Sequence, residues 1–221
     1  MLITVSFNVQ DYEVSDYAIG REAWARAHGV EHVYVSERTT GLKLDAHCSA
    51  WLRLPLMQSL RGRALFYLDH DCLISAACPT PVEIMAERKG VFLARGHSGR
   101  PNSGVMLVSP EGTELFDFCV DRIAETPPDG CKAPCENGHV IWGCQTLSWN
   151  ELPSSLNDTR TQKGLIVHHT GPNRKLRALS YEPVPGTVDY DVERVSTPAA
   201  LRQMSATVVE RLELDRERAD R

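Results

Sequence analysis

The chain contains no apolar run long enough to cross a bilayer, and no charged start leading into a short apolar segment of the secretory kind. The expectation is a cytosolic protein with no membrane span. A basic excess is missing too. Lysine and arginine number 24 against 29 aspartates and glutamates, a formal net charge of −5, so there is no polybasic footprint for a nucleic-acid duplex. Internal repeats and low-complexity segments are absent. What remains is 221 residues, 42% hydrophobic and 24% charged, enough for one full α/β domain with a real core but tight for two. The seven cysteines are an odd number, and in a reducing compartment they are thiols or metal ligands before they are disulfides.

Apolar β-branched runs alternate with helical periodicity. Residues 2–7, LITVSF, read as a first strand. Residues 17–28 place Tyr17, Arg21, Trp24, Ala25 and His28 at helical spacing before Gly29, and residues 32–35, HVYV, read as a second strand. This is a βαβ unit, for which a right-handed crossover is expected. A second helix is expected over 46–60, with Trp51, Leu52, Leu54, Leu56 and Leu60 on its apolar face, and with Pro55 kinking it or marking its true start. A short helix over 81–89 and strands over 91–94 and 105–108 follow. Between those strands, 95–100 (RGHSGR) reads as a mobile polar loop, and Asn102-Ser103-Gly104 as a turn. Residues 111–125 form an amphipathic helix with Leu115, Phe116, Cys119, Val120 and Ile123 on one side. A strand over 165–167 comes next. Leu201, Met204, Val208 and Leu212 mark a final helix over 198–218, which either packs on the domain or mediates a homodimer. The fold expectation is α/β, with a mixed, mainly parallel sheet flanked by helices, over 1–180, and a C-terminal extension over 181–221.

Residues 64–74, ALFYLDHDCLI, carry the chemistry. A continuous apolar run reads as a strand buried on both faces. Asp69 and Asp71 follow it, split by His70, and strand alternation aims both carboxylates at one point past the strand's carboxyl end. Two such charges repel unless a cation or a shared proton relieves them. A hard divalent ion with oxygen ligands meets that need. His168, at the end of a later strand, adds an imidazole suited to a borderline divalent ion. Separately, Cys131, Cys135, His139 and Cys144 offer soft ligands at short spacing, either a tetrahedral structural zinc site or unrelated core and loop groups.

Taken in order, the acid pair, PNSGVMLVSP at 101–110 and GLIVHHTGPNRK at 164–175 resemble the DxD, NSG and HxxG…K elements of nucleotide-sugar glycosyltransferases with the GT-A fold. The likeness is to the glycogenin and bacterial lipopolysaccharide galactosyltransferase-like retaining family, and spans 2–175. It implies a GT-A, Rossmann-like domain that moves a sugar from a nucleotide-diphosphate sugar, UDP favoured, with retention of configuration. It implies Mn2+ (or Mg2+) held by Asp69, Asp71 and His168. Asn8 and Tyr12 fall in the loop that holds the donor's base. Arg53 stands where a basic residue touches the donor, and a guanidinium there can clamp phosphate oxygens. Asn102, Ser103 and Gly104 line the sugar pocket. Gly171 matches the last motif, with Arg174 or Lys175 at its basic position facing the diphosphate. Gln145 and Asn150 fit the family's "G-D-Q" and following helical "LN", with Cys144 where the family has an aspartate. Asn102 and Gln145 are thus the candidate catalytic residues. Leu152-Pro153 and Asn157 resemble its "LP…N" segment.

Two other readings stand beside this one. A nucleotidyltransferase acting on sugar nucleotides would carry a Gly-rich basic loop after the first strand, which residues 7–12 lack. A non-catalytic zinc-bound interaction module would centre on 131–144. The acceptor is written in no motif: a saccharide, a protein, a small molecule or a modified nucleic acid all remain open.

Overall fold

Strand β1 (Leu2–Val5) pairs in parallel on both sides, with β2 (His32–Val35) and β3 (Leu65–Leu68). This is seen in a computed structural model of the chain that describes residues 1–5, 16–35, 46–133, 135–170 and 198–219. Every residue of β1 and β3 is buried, as expected of apolar runs covered on both faces. Beyond β3 the sheet turns antiparallel through β6 (Pro101–Val108) and β5 (Val91–Arg95), and β7 (Asn150–Glu151) closes the edge in parallel with β5. The order is β2-β1-β3-β6-β5-β7, a mixed sheet in which parallel pairs predominate. A separate antiparallel ribbon joins β4 (Cys72–Ile74) to β8 (Ile166–His168).

Strand alternation sorts the apolar side chains into two cores. Ile3, Val5, Leu65, Tyr67, Met106 and Val108 face α2 (Ala46–Ser59), α4 (Glu114–Asp121) and α6 (Pro198–Ala219). Leu2, Phe66, Leu68, Phe92, Val105 and Leu107 face the opposite way, toward Trp24 and Ala25 of α1 (Asp16–Ala27). The remaining helices are α3 (Pro81–Met85) and α5 (Asn137–Thr146). Helix α3 opens with a capping box in which Thr80 and Glu83 satisfy each other's backbone donors, and the last turn ends at a left-handed Ala86. The final helix packs on α2. Leu201 and Val208 are buried in the shared core, and Ser205 Oγ lies 2.9 Å from Ser59 Oγ. Among the described residues no helix is long and apolar enough to cross a membrane.

Several local expectations need correction. Pro55 does not mark the start of the helix but sits inside α2, as its other reading required, where Leu52, Leu54, Leu56 and Met57 are fully buried. Burial of that face outweighs the roughly 3 kcal/mol that an interior proline costs. Residues 96–100 are a loop, as read, and form the turn of the β5–β6 hairpin: the Gly96 amide donates to Arg100 O at 2.9 Å, and Gly99 takes the positive φ of 74° that the turn requires. Asn102-Ser103-Gly104 is not a turn but part of β6. The register against β5 jumps from Leu93↔Met106 to Ala94↔Asn102, so residues 103–105 bulge out of the ladder. Asn150 lies in β7, where its side chain donates to Lys89 O, and not on a helix.

Candidate active site

The acidic turn hangs from the end of β3. The Asp69 amide donates to Gly104 O at 2.8 Å, extending the β3–β6 ladder by one residue, and the Cys72 amide closes the turn on Asp69 O at 2.9 Å. Behind it lies Arg21 of α1, wholly buried. Its guanidinium donates to the carbonyls of Asp69 and Cys72 and, at 2.7 Å, to Thr4 Oγ1. A buried cation therefore holds the turn from its inner side, where unsatisfied carbonyls would be costly.

The β4–β8 ribbon pairs Cys72 with His168, which sets the imidazole beside the acid pair. His168 Nε2 lies 3.3 Å from Asp71 Oδ1 and 3.5 Å from Asp69 Oδ2. Room for the ring comes from Gly104, since a β-carbon there would come within 2.6 Å of His168 Nδ1 and 2.9 Å of Asp69 Oδ2, and closer still to His168 Cε1. The ring's other nitrogen is fixed by a relay. The Gly104 amide donates to Asn102 Oδ1 at 3.0 Å, so that atom is an acceptor. Asn157 Nδ2 then donates to the same oxygen at 2.9 Å, which turns Asn157 Oδ1 toward His168 Nδ1, also at 2.9 Å. His168 Nδ1 therefore carries the proton, and Nε2 faces the carboxylates. His169 points elsewhere: its ring meets the Tyr17 hydroxyl, and its amide donates to Asp71 O at 3.0 Å.

Asp69 is shared. While Oδ2 faces His168, Oδ1 accepts from Arg53 Nη1 at 2.7 Å and from the Tyr67 hydroxyl at 2.9 Å. Arg53 also lies 3.4 Å from Glu136 Oε1 through Nε, and its guanidinium packs over the Tyr67 ring at 5.0 Å. Burial disfavours the Arg53 charge, but Asp69 and Glu136 together hold its pKa above the ordinary range. Glu136 is pushed up by its own burial; Arg53 and the Ser103 hydroxyl, which donates to it at 2.6 Å, pull the other way. Burial likewise lifts the Tyr67 phenol well above its usual value.

Glu136 and Asn137, which the sequence reading did not single out, stand at the end of α5 that faces β6. Asn137 Oδ1 accepts from the Ser103 amide at 3.0 Å. Gln145 sits at the other end of the same helix, about 12 Å along its axis, where its Oε1 accepts from the Cys131 thiol at 3.1 Å. Cys144 packs against the core on the α2 side of the sheet. The arrangement thus brings Arg53, Asp69, Asp71, Asn102, Ser103, Gly104 and His168 together and leaves Gln145 apart. Asn8, Tyr12, Gly171, Arg174 and Lys175 lie outside the described residues.

Of the two readings of Cys131, Cys135, His139 and Cys144, the described side chains favour unrelated core and loop groups, since they do not gather into a metal-ligand cluster. Cys131 is bonded to Gln145, and His139 Nε2 faces the carbonyls of Arg122 and Glu125 at 2.9 and 3.0 Å. Burial pushes the thiols of Cys135 and Cys144 up to about 11 and about 12, which keeps them neutral. Among the described residues the group with ligand atoms within 4.8 Å of one another is Asp71, Cys72 and His168. Of these, Cys72 is wholly buried in a setting that raises its pKa well above normal, and its thiol points at Gly104 O. Asp71 and His168 remain of that group, and Asp69 Oδ2, outside it, lies 3.5 Å from the same His168 nitrogen, whose partner across the ring is already hydrogen-bonded: carboxylates and an oriented imidazole are the chemistry of a hard to borderline divalent ion. These residues fit such an ion.

No family model and no curated protein matches the chain. Solved structures do. The chain is similar to a glycosyltransferase involved in glycosylation of the major capsid of PBCV-1, at 15% identity and a TM-score of 0.60, over 79% of this chain and 96% of that one. It is similar to the apo form of the glycosyltransferase GlyE of Streptococcus pneumoniae TIGR4, at 11% identity and a TM-score of 0.51, over 97% of this chain and 63% of that one. It is also similar to the galactosyltransferase LgtC in complex with donor and acceptor sugar analogs, at 10% identity and a TM-score of 0.50, over 95% of each chain. At these identities the likeness is one of architecture, and the architecture is that of the GT-A glycosyltransferases.

Proposed function

We propose that this chain is a metal-dependent glycosyltransferase that uses a nucleotide-diphosphate sugar, UDP favoured, and retains the configuration of the transferred hexose. The observation that carries the reading is the meeting of His168 Nε2 with Asp69 and Asp71 over the bare Cα of Gly104. Asp69, Asp71 and His168 would hold Mn2+ or Mg2+, which when bound neutralises charge on a diphosphate leaving group. The cytosol is the proposed compartment, and Cys72, Cys78, Cys119, Cys131, Cys135 and Cys144 are free thiols.

The chain's own residues divide the remaining work. Arg21 and Asn157 hold the acid turn and the imidazole in place before any ligand arrives. Arg53 donates to Asp69 Oδ1 at 2.7 Å, fixing that carboxylate's orientation, and adds fixed positive charge behind the diphosphate position. Asn102, Ser103, Glu136 and Asn137 form the polar wall on the sugar side. Arg174 or Lys175 supplies a further cation to the diphosphate. In the transfer, the bond from the anomeric carbon to the phosphate oxygen breaks and the acceptor oxygen bonds to the same face of that carbon. The acceptor's proton leaves with the departing phosphate.

Thermal-shift screening against a panel of nucleotide sugars, with and without manganese, tests this reading. A manganese-dependent rise in melting temperature with a UDP-sugar is expected, because a ligand that binds only the folded state stabilises it by mass action. No shift with any donor contradicts it.

A further inference from the structure

Three loops are hydrogen-bonded together beside the sugar wall through arginines that have no carboxylate partner among the described residues. The Arg160 guanidinium donates to His97 O, tying loop 158–164 to hairpin 95–100. Arg100 Nη1 donates to Lys132 O at 2.9 Å, tying the same hairpin to the segment before α5. Both arginines sit close to the site. Arg100 lies two residues before Asn102, at most about 7 Å away along the chain, and Arg160 three residues after Asn157, at most about 11 Å. Those asparagines are the pair bonded at 2.9 Å in the relay to His168.

The neighbouring acids are occupied. Glu151 pairs with Arg95 at 3.0 Å, and Asp129 pairs with Lys132 at 2.5 Å. The Asp158 carboxylate accepts from the amides of Arg160, Thr161, Lys163 and Gly164 and from the Thr161 hydroxyl. Among the described residues, Arg100, Arg160 and Lys163 have no carboxylate within 4.0 Å. Each arginine spends part of its guanidinium on a neutral carbonyl, which orients the fork without cancelling its charge. The rest of the fork stays available for a bidentate anion. On a chain with a net charge of −5, this rim is a local reversal of sign.

We propose that this rim is the acceptor subsite, and that the acceptor is a glycan bearing an anionic group, a phosphate or a uronic carboxylate, held by Arg100 and Arg160 with Lys163 beside them. The inference rests on the glycosyltransferase reading for the word acceptor, but its chemistry can be measured without turnover.

Binding to the full chain is followed by fluorescence anisotropy with labelled probes: a trigalacturonate and its neutral methyl ester, and a phosphomannose trisaccharide and its dephosphorylated parent. At least one anionic probe is expected to bind about tenfold or more tighter than its neutral match, the scale of a charge-assisted contact, with the preference shrinking at high salt. Which of the two does so identifies the anion. Arg100→Gln/Arg160→Gln should abolish the preference, whereas Arg100→Lys/Arg160→Lys, which keeps the charge but loses the bidentate fork, should retain part of it, above the Gln pair and below wild type, and guards against a mere folding defect. Equal binding of charged and neutral probes, or a Gln pair that behaves as wild type, overturns the proposal. A UDP–manganese thermal shift on the same preparation separates the two claims. If the shift is present and the anion preference absent, only the rim assignment fails. If the preference is present and the shift absent, the donor reading fails and the acceptor role goes with it.

Discussion

Gly104 and His168 occupy each other's space: the imidazole fills the volume that a side chain on residue 104 would need. Gly104→Ala must therefore displace His168, Asp69 or the β6 bulge. The expected outcome is loss of manganese-dependent stabilisation by a UDP-sugar, together with an overpacking cost of about 1–3 kcal/mol in chemical denaturation. A variant that keeps the shift would show that the ring can move without consequence.

Asn157 fixes the protonated nitrogen of His168, and Asn102 fixes Asn157. Asn157→Ala releases the ring while leaving all three proposed ligands in the chain. Metal affinity should fall by roughly tenfold to a hundredfold, the usual effect of losing an outer hydrogen bond to a ligating histidine. Calorimetric titration of Mn2+ checks it, and an unchanged affinity would detach Asn157 from the site.

Buried Arg53 bridges two carboxylates, the half-buried Asp69 and the buried Glu136. Arg53→Met leaves the buried Glu136 without its cation and Asp69 without one of its partners, with an expected cost of about 3–5 kcal/mol. Arg53→Met/Glu136→Gln removes one of those charges and should be less destabilised than the sum of the single variants. Urea unfolding of the four proteins in the cycle measures the coupling.

Asp158 ties down the loop whose carbonyl receives the His168 amide at 2.9 Å. Burial works against its charge, but hydrogen bonds from the Thr161 hydroxyl and from backbone amides outweigh that and hold its pKa far below the ordinary carboxylate range. A depressed folded-state pKa gives stability that is present above the unfolded value near 4 and is lost as pH falls toward the folded one. Asp158→Asn should therefore lose roughly 1.5–3 kcal/mol at pH 7 and show a flatter acid limb than wild type. Denaturant midpoints measured from pH 7 down to pH 3 decide it.

Much of the architecture was legible because strand alternation and helical spacing report burial directly. Residues 32–35 form a strand as read, and Leu115, Phe116, Cys119, Val120 and Ile123 share a buried face. The acid pair and His168 were legible for a related reason: each stands at the end of an apolar run, where a strand delivers its side chains to the sheet's edge. Contacts made across the chain were not. Arg21 reads as one more residue of an amphipathic helix, and nothing local says that its guanidinium reaches the carbonyls of the acid turn. Glu136 begins α5 without a side-chain cap, so no start signal marked the helix end that faces Ser103. The resemblance pointed instead to Gln145, about two turns further along the helix. The bulge at residues 103–105 was missed because Asn-Ser-Gly has turn chemistry wherever it occurs, and only pairing with two strands reveals it as strand.

The central claim is tested most directly by titrating UDP into the protein with Mn2+ present, with Mn2+ replaced by chelator, and again with Asp71→Asn in Mn2+. The account predicts one saturable site in wild type with Mn2+, and binding weakened about tenfold or more by either chelation or the substitution. UDP that binds equally well in all three conditions would contradict it.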